Sequence, residues 1–383
     1  MTNKKQIALF AAFIGFSGTE RVVCRLVNEL VKYYDVTLVL MFNTVDLPIH
    51  KDVNVICISK KSQHYNNSSW SKLSTFLYSA LQYSKILKEN EIDISISFLI
   101  KQNIINGFTK IRNPKLITIV SERCFPSKTY GAFGKKLVNY FYNKNNALFS
   151  NSIHINKDLQ DNFGVKIPAH VLYNPIYTLE EKPDFLNNPE ENKPFEIVAV
   201  GRLNPVKNYN SLIESIPLIK DKVRLNIYGA GVLEEELKSL STTLNLNEIV
   251  SFKGNSSEID QEILKHHCLV LTSLSEGFPN VILEAMSLGV PVIATNCKSG
   301  PLELLNDNEH IQIEEGSFSK AKYGLLVNVD DNKGLAKAIT YYQNNEEARK
   351  KYSDLSFEKA KQYDISEIGK QTKNLIDMYL CAE

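Results

Sequence analysis

Two glutamates, Glu276 and Glu284, lie eight positions apart in a run that reads Glu-Gly-Phe-Pro-Asn-Val-Ile-Leu-Glu. Proline is tolerated in the first turn of a helix but not in its interior, so the run predicts a helix that begins near Pro279. Glu284 then lies inside this helix, and Glu276 lies on the loop before it. The free backbone amides of residues 278–281 form an anion site at the helix start. Carboxylates that accept hydrogen bonds from hydroxyls, beside amides that bind a phosphate, would together bind a nucleotide sugar.

Two cations, Arg202 and Lys207, follow directly after a predicted strand at 195–201. The guanidinium of arginine offers a planar fork of donors and the ammonium of lysine a point charge, and a loop of this length can aim both at one diphosphate. The alternative is that both are solvated surface charges. Three glycine-containing loops, 14–20, 228–231 and 252–255, also follow predicted strands, and each could equally be an ordinary turn.

Short apolar runs alternate with helix-period segments along the whole chain, which is typical of parallel sheets wrapped by helices. Strands are predicted at 6–13, 35–41, 53–58, 93–98, 116–120, 147–150, 195–201, 223–228, 248–252, 268–272, 290–294 and 325–327. The pattern predicts an α/β protein with two Rossmann-like, doubly wound domains that face a central cleft, where the loops after the strands bind ligands. The expected division is an N-terminal domain, a linker, a C-terminal domain and a final helix that could pack back on the N-terminal domain, at 1–175, 176–193, 194–362 and 363–383.

Composition narrows the class of protein. No apolar run approaches the length of a membrane span. The apolar stretch near the N-terminus is too short, and too soon followed by polar turn residues, to be a signal peptide, so a cytoplasmic location is expected. The six cysteines form no C-x-x-C pair, and no structural metal site is expected. Residues 1–179 carry 22 Lys and Arg against 11 Asp and Glu, and residues 180–383 carry 22 against 32. The basic half suggests a partner with negative charge, or else a solvated surface.

Taken together, these loops resemble those of the family-four retaining glycosyltransferases of the GT-B fold, of the bacterial surface-polysaccharide type. The resemblance covers nearly the whole chain, and its specific element is the E-x7-E run from Glu276 to Glu284, together with 200–203, Lys207 and 289–295. It implies transfer of a hexose or N-acetylhexosamine from a nucleotide sugar, with UDP the expected nucleotide, to a lipid-linked or polysaccharide acceptor. It also implies retention of anomeric configuration with no metal and no cofactor, and the chain has no D-x-D pair.

The resemblance also implies roles for individual residues. Arg202 and Lys207 would neutralise the diphosphate, Glu284 would bind the ribose, and Glu276 would hold the donor sugar, so that Glu276, Lys207 and Arg202 form the catalytic set. The full expected donor site comprises Gly15, Phe16, Gly18, Arg202, Lys207, Gly254, Glu276, Gly277, Phe278, Asn280, Val281 and Glu284.

One departure from the family concerns the loop after the strand 116–120, where many relatives carry a histidine and this chain has Ser121-Glu122-Arg123. Glu122 or Arg123 contacts the donor sugar or acceptor, or else the loop is purely structural. The following segment, 128–144, mixes Lys135, Lys136 and Lys144 with Phe133, Leu137, Tyr140 and Phe141. Such a basic amphipathic helix would dock an otherwise soluble enzyme on an anionic inner membrane leaflet. An ordinary helix that packs on the core and has lysines on its solvent-exposed side fits the pattern as well.

Two other functions are also compatible with the sequence. A UDP-sugar epimerase of the same architecture would need an acid and base pair at the sugar ring, and a non-catalytic partner would bind nucleotide without turnover. Nucleic-acid binding is not expected, because no recognition motif with aromatic and basic residues accompanies the basic half.

Overall fold

The computed structural model describes residues 4–59, 69–183 and 193–381, and part of the predicted linker, 184–192, lies outside them. The chain forms two compact units. Unit 1 comprises Met1–Pro175 and Ile365–Glu383, and unit 2 comprises Ile176–Asp364.

Unit 1 is built on a seven-stranded sheet. Its strands are β1 (Gln6–Ala11), β2 (Asp35–Phe42), β3 (Asn54–Ser59), β4 (Ile94–Phe98), β5 (Ile117–Glu122), β6 (Ala147–Ser150) and β7 (Ala169–Val171). The helices between them are α1 (Gly18–Leu30), α2 (Ser69–Glu89), α3 (Ile100–Arg112), α4 (Pro126–Thr129), α5 (Ala132–Tyr142) and α6 (Ile153–Phe163). The strands are parallel in the order β3-β2-β1-β4-β5-β6-β7. Helices cover both faces of such a sheet, so its central strands β1 and β4 are buried along almost their whole length.

Unit 2 repeats this plan. Its strands are β8 (Phe195–Val200), β9 (Val223–Tyr228), β10 (Val250–Gly254), β11 (Cys268–Leu271), β12 (Val292–Thr295), β13 (Phe318–Lys320) and β14 (Leu325–Val327). Its helices are α7 (Tyr209–Ser215), α8 (Glu234–Thr243), α9 (Ile259–Leu264), α10 (Asn280–Ser287), α11 (Pro301–Asn306), α12 (Asn332–Asn344) and α13 (Glu346–Ala360). The order is β10-β9-β8-β11-β12-β14-β13, and only β13 runs antiparallel to its neighbour among these strands.

The last helix, α14 (Ile365–Leu380), belongs to unit 1. Its buried residues Ile368 and Ile376 join the same hydrophobic cluster as those of α1. The hydroxyl of Tyr34 donates a 2.6 Å hydrogen bond to the carboxylate of Asp377. The C-terminal helix is therefore part of the core of unit 1, although the chain enters it from unit 2.

The predicted doubly wound α/β architecture is confirmed for both units. The twelve predicted strands all occur, with ends shifted by up to two residues. The prediction missed β7 and β13, which have three residues each and are too short to show a period. In both units the strand order reverses beside the first strand, between β1 and β4 and between β8 and β11. Ligands of doubly wound sheets bind outside the carboxyl ends of the strands at this reversal.

Candidate active site

The loop after β8 carries Lys207 to the reversal point of unit 2. Asn204 caps a short 3₁₀ turn, Pro205–Lys207, and its side-chain oxygen accepts from the backbone amide of Lys207 at 3.2 Å. The hydroxyl of Thr272, at the end of β11, donates to the carbonyl of Lys207 at 3.0 Å. These bonds fix the backbone of Lys207 against the neighbouring loop, so its side chain starts from a defined position.

The loop after β11 carries Glu276 to the same point. The ammonium of Lys207 lies 2.6 Å from Oε1 of Glu276, with side-chain exposures of 20% and 12%. The hydroxyl of Ser273 donates to the same oxygen at 2.5 Å. Charges this far removed from water need partners, and here each is the partner of the other. The structure thus joins two of the three predicted catalytic residues in one half-buried ion pair.

The pair retains bonding capacity. Among the described residues, Oε2 of Glu276 accepts no hydrogen bond, and the ammonium of Lys207 donates only to Glu276. A carboxylate has about four lone-pair positions and an ammonium has three donors, so both groups can bind a ligand without leaving each other. The free oxygen can accept from a sugar hydroxyl, and the free donors can bind a phosphate oxygen.

The helix predicted after Pro279 is α10, which begins at Asn280. Seven of its eight residues are buried, and Glu284 is only 6% exposed. The loop before it is packed from behind. The hydroxyl of Ser299 donates to the carbonyl of Gly277 at 2.7 Å, and a Cβ at Gly300, where φ is 89°, would lie 2.5 Å from Pro279. The loop before α10 is therefore held by close contacts that admit no side chain at Gly300.

Two loops that the sequence left as possible turns, 228–231 and 252–255, are joined to each other and to the loop after β8. The amide of Gly201 donates to the carbonyl of Tyr228 at 2.9 Å, and the amide of Gly229 donates to the carbonyl of Gly254 at 2.7 Å. A Cβ on Gly229, where φ is 136°, would lie 2.0 Å from the carbonyl oxygen of Gly201. Glycine is required there because two backbones touch. Gly254, predicted to contact the donor, thus lies in the set of loops that supports Lys207.

Arg202 is exposed, and among the described residues its guanidinium makes no hydrogen bond or ion pair. It differs in this from Lys207, which is already paired. An exposed guanidinium on the same loop as Lys207 adds positive charge that is available to an anion.

The predicted loop of unit 1 lies between β1 and α1. Phe16 is 65% exposed, and Gly15 is buried. The carboxylate of Glu20 accepts from the amide of Ser17 at 2.9 Å, which satisfies one free donor at the start of α1. The loop thus ends in an ordered helix start, and its role toward a donor stays a prediction.

The loop that departs from the family pattern is buried. Glu122 is 0% exposed, and Oε2 of its carboxylate accepts from the hydroxyls of Tyr130 and Tyr142, each at 2.8 Å, while Oε1 accepts from the amides of Arg123 and Cys124. Burial, opposed by these hydrogen bonds, raises the pKa of Glu122. Because both oxygens are occupied internally, the geometry favours the structural alternative for Glu122.

Arg123 is 6% exposed and is satisfied in the same way. It donates to the hydroxyl of Ser121 at 2.9 Å, to the carbonyl of Leu172 at 3.1 Å and to the side chain of Asn174 at 2.9 Å. Burial lowers the pKa of Arg123 to about 10, so the side chain remains a cation at neutral pH. Its bonds to the segment after β7 point to a structural role as well.

Two features of the site were missed from the sequence. Ser273 bonds to Glu276 from three residues upstream, a spacing that carries no signal in a loop. Cys297 lies near Glu276. Burial, followed by the negative charge of Glu276, raises the pKa of Cys297 to about 12, which keeps this thiol neutral. Among the described residues, no group of three or more His, Cys, Asp or Glu is placed to hold a metal ion.

Comparison with known families matches both halves of the chain. A model described as glycosyl transferases group 1 matches residues 181–358, and one described as glycosyl transferase 4-like matches residues 11–152. Over 374 residues the chain is 28% identical to the N-acetylgalactosamine-N,N'-diacetylbacillosaminyl-diphospho-undecaprenol 4-alpha-N-acetylgalactosaminyltransferase of Campylobacter jejuni, a match that covers 96% of this chain and 98% of the relative.

Solved structures match over almost the full length. The apo form of the lipopolysaccharide outer core galactosyltransferase WaaB has a TM-score of 0.73 at 20% identity, covering 98% of this chain and 99% of that one. Anabaena HepE in complex with UDP-glucose has a TM-score of 0.74 at 17% identity, covering 97% and 99%. At these identities the structures establish that the fold is shared, and the fold is GT-B.

Proposed function

The chain belongs to the group 1 glycosyltransferases, and we propose that it moves a hexose or N-acetylhexosamine from a UDP-linked sugar to a lipid-linked or polysaccharide acceptor with retention of anomeric configuration. The observation that carries this proposal is the Lys207 and Glu276 pair, 2.6 Å apart at the strand reversal of unit 2. Support for the donor comes from HepE, which was solved with UDP-glucose. Support for the acceptor comes from the Campylobacter relative, whose name includes diphospho-undecaprenol.

Each residue of the proposed site has one part in the chemistry. When the bond between the anomeric carbon and the phosphate oxygen breaks, its electron pair goes to the leaving UDP and the sugar ring gains positive charge. Lys207 and Arg202 stabilise the new negative charge on the diphosphate, an interaction stronger in the transition state than in the ground state. Glu276 holds the sugar through hydroxyls, and Glu284 binds the ribose.

The acceptor then supplies the new bond. Its hydroxyl oxygen attacks the anomeric carbon from the face that UDP leaves, and its proton passes to the departing phosphate oxygen. This route needs no separate protein base and no metal or cofactor, since Lys207 and Arg202 provide the positive charge. The transferases among the relatives do not favour the epimerase or the non-catalytic alternative.

Binding of donor is expected to stabilise the protein against heat. A ligand at about 100 times its dissociation constant adds ~2.7 kcal/mol, which corresponds to a rise of several degrees in the melting temperature. We expect this rise with UDP and with one or two members of a panel of UDP-hexoses and UDP-N-acetylhexosamines, but not with ADP. Differential scanning fluorimetry measures it.

The UDP-sugar that binds is then incubated with a polyprenyl-diphosphate-linked sugar, and NMR of the product should show the anomeric configuration of the donor. An inverted product would contradict the retaining mechanism. Epimerised donor in the absence of acceptor would replace the proposal by the epimerase alternative.

We further propose that α5 docks the enzyme on the inner leaflet of the cytoplasmic membrane. Phe133, Lys136 and Tyr140 recur at spacings of three and four and share one exposed face of α5, with Phe133 75% and Tyr140 55% exposed. Lys144 follows the end of the helix, and its ammonium lies 5.0 Å from the ring centroid of Tyr140. Val138 and Tyr142 on the opposite side are buried. In the part of the chain that the structure describes, no helix combines the length and the apolar character needed to cross a bilayer.

This face suits an anionic phospholipid surface, because basic residues near such a surface gain about 1 kcal/mol each and aromatic side chains enter the interface. Wild-type protein should float with phosphatidylglycerol vesicles at low salt, and the double variant Phe133→Ser, Lys136→Glu should bind on the order of tenfold more weakly. The control is Lys115→Glu, an exposed lysine of the same unit. Equal flotation of the double variant and the control would remove α5 as the docking surface.

A further inference from the structure

The chain passes between the units twice, and the two crossings are joined. Ile176 pairs with Asp364 in a parallel bridge, and its amide donates to the carbonyl of Tyr363 at 2.9 Å. The carboxylate of Asp364 accepts from the hydroxyl of Thr178 at 2.7 Å and from its amide at 3.2 Å. The backbone at residue 363 is therefore fixed by the first crossing, from a position 187 residues earlier in the chain.

The side chain of Tyr363 packs on Phe278, in the loop before α10 that carries Glu276. Its ring centroid lies 5.6 Å from that of Phe278 at an interplanar angle of 53°, and both residues are only 4% exposed. A tilted arrangement at this separation is a favourable one for two aromatic rings. Phe278 follows Glu276 by two residues, so a shift of its ring moves the backbone that carries the carboxylate.

The ring of Tyr363 has a second neighbour, Lys359. The ammonium of Lys359 lies 5.6 Å from the centroid of Tyr363 and 5.3 Å from that of Tyr323. Its side chain is 9% exposed and pairs with Asp307 at 2.7 Å. Burial works against ionisation of Asp307, but hydrogen bonds, first from Lys359, hold its pKa below the usual value. The ion pair with Asp307 therefore holds the ammonium of Lys359 near both rings.

We propose that Tyr363 is a positioning residue for the sugar-binding part of the site. It holds Phe278 in place, and through Phe278 it sets where the free oxygen of Glu276 meets the hydroxyls of the donor sugar. The proposed nucleotide contacts, at Lys207 and Arg202, lie on the loop after β8. Asn204 and Thr272 fix the backbone of Lys207 there, through bonds that do not involve Phe278. This inference rests on the proposed function, because it assigns Tyr363 to the sugar of a UDP-sugar and not to UDP itself.

The test compares two tyrosines that are matched in burial. Tyr352 is also 4% exposed and also contacts an aromatic ring, that of Tyr342 at 5.8 Å, but its partner lies in the hydrophobic core of unit 2. Tyr363→Leu should raise the KM for the accepted UDP-sugar at least tenfold and leave the dissociation constant of UDP within twofold. Tyr363→Phe should restore the wild-type KM. Tyr352→Leu should lower the melting temperature but leave the KM unchanged.

The outcomes separate the two levels of the proposal. If wild-type protein binds no UDP compound and releases no UDP from any donor, the proposed function fails. If wild type is active but Tyr363→Leu and Tyr352→Leu change the KM alike, or Tyr363→Leu weakens UDP as much as UDP-sugar, the positioning role is overturned. Should Tyr363→Leu not fold by circular dichroism, Tyr363→Met, which fills more of the space, takes its place under the same criteria.

Discussion

Lys207→Ala is expected to lower the turnover of the UDP-sugar by about 10²- to 10³-fold, the loss typical when one fixed group that stabilises transition-state charge is removed. The reason is geometric. Lys207 is held by the cap from Asn204 and by the bond from Thr272, and its ammonium keeps two donors that no described residue uses. A cation positioned before the reaction stabilises the leaving diphosphate without reorganisation.

The measurement is UDP release with the accepted donor and acceptor, together with the dissociation constant of UDP by calorimetry, which should also rise. Lys207→Met keeps the aliphatic stem and should lose as much activity, which separates charge from packing. The control is Lys350→Ala, which breaks an exposed ion pair with Glu346 on α13 and should change turnover little. Turnover of folded Lys207→Ala within threefold of wild type would remove Lys207 from the catalytic set.

Glu276→Gln should lower the turnover of the UDP-sugar by about 10²-fold but leave the affinity for UDP unchanged or a few-fold higher. Glutamine keeps the size of the side chain and loses its charge. In wild type the diphosphate shares Lys207 with a carboxylate 2.6 Å away, and the negative charge of that carboxylate opposes the incoming phosphates. Without it, Lys207 is free for UDP, while the donor sugar loses a charged acceptor for its hydroxyls.

Opposite changes for nucleotide and sugar are the signature of this assignment. They are measured by calorimetry with UDP and by initial rates with the accepted UDP-sugar, with Glu346→Gln on the exposed face of α13 as the control. A loss of UDP affinity that parallels the loss of turnover would place Glu276 at the phosphates and not at the sugar.

The same two measurements, calorimetry with UDP and initial rates with the UDP-sugar, distinguish the role of Lys207 from that of Tyr363. Lys207→Ala should weaken both UDP and UDP-sugar, whereas Tyr363→Leu should weaken only the UDP-sugar. The distinction follows from the loops on which they act, because Lys207 lies on the loop after β8 and Phe278, the partner of Tyr363, lies on the loop after β11.

The architecture and the chemistry of the principal residues could be predicted from the sequence alone. Parallel strands are covered on both faces, so they appear as short apolar runs, and a loop after such a run lies at the ligand-binding edge. This reasoning placed Lys207 and Glu276 at the carboxyl edge of the same sheet. Pro279 predicted the start of α10, which begins at Asn280, because proline restricts its position in a helix to the first turn.

Which side chains contact one another could not be predicted, because these contacts form only in the folded chain. Lys207 and Glu276 lie 69 positions apart, and the sequence between them carries no information about a 2.6 Å contact, because that contact depends on the strand order β8-β11. Burial of Glu122 was likewise invisible, since its tyrosine partners lie 8 and 20 residues away and the motif alone fits a ligand-binding loop equally well. Tyr363 gave no signal at all. Its importance arises from packing on Phe278 across 85 residues, and long-range packing is a property of the folded chain that no local pattern encodes.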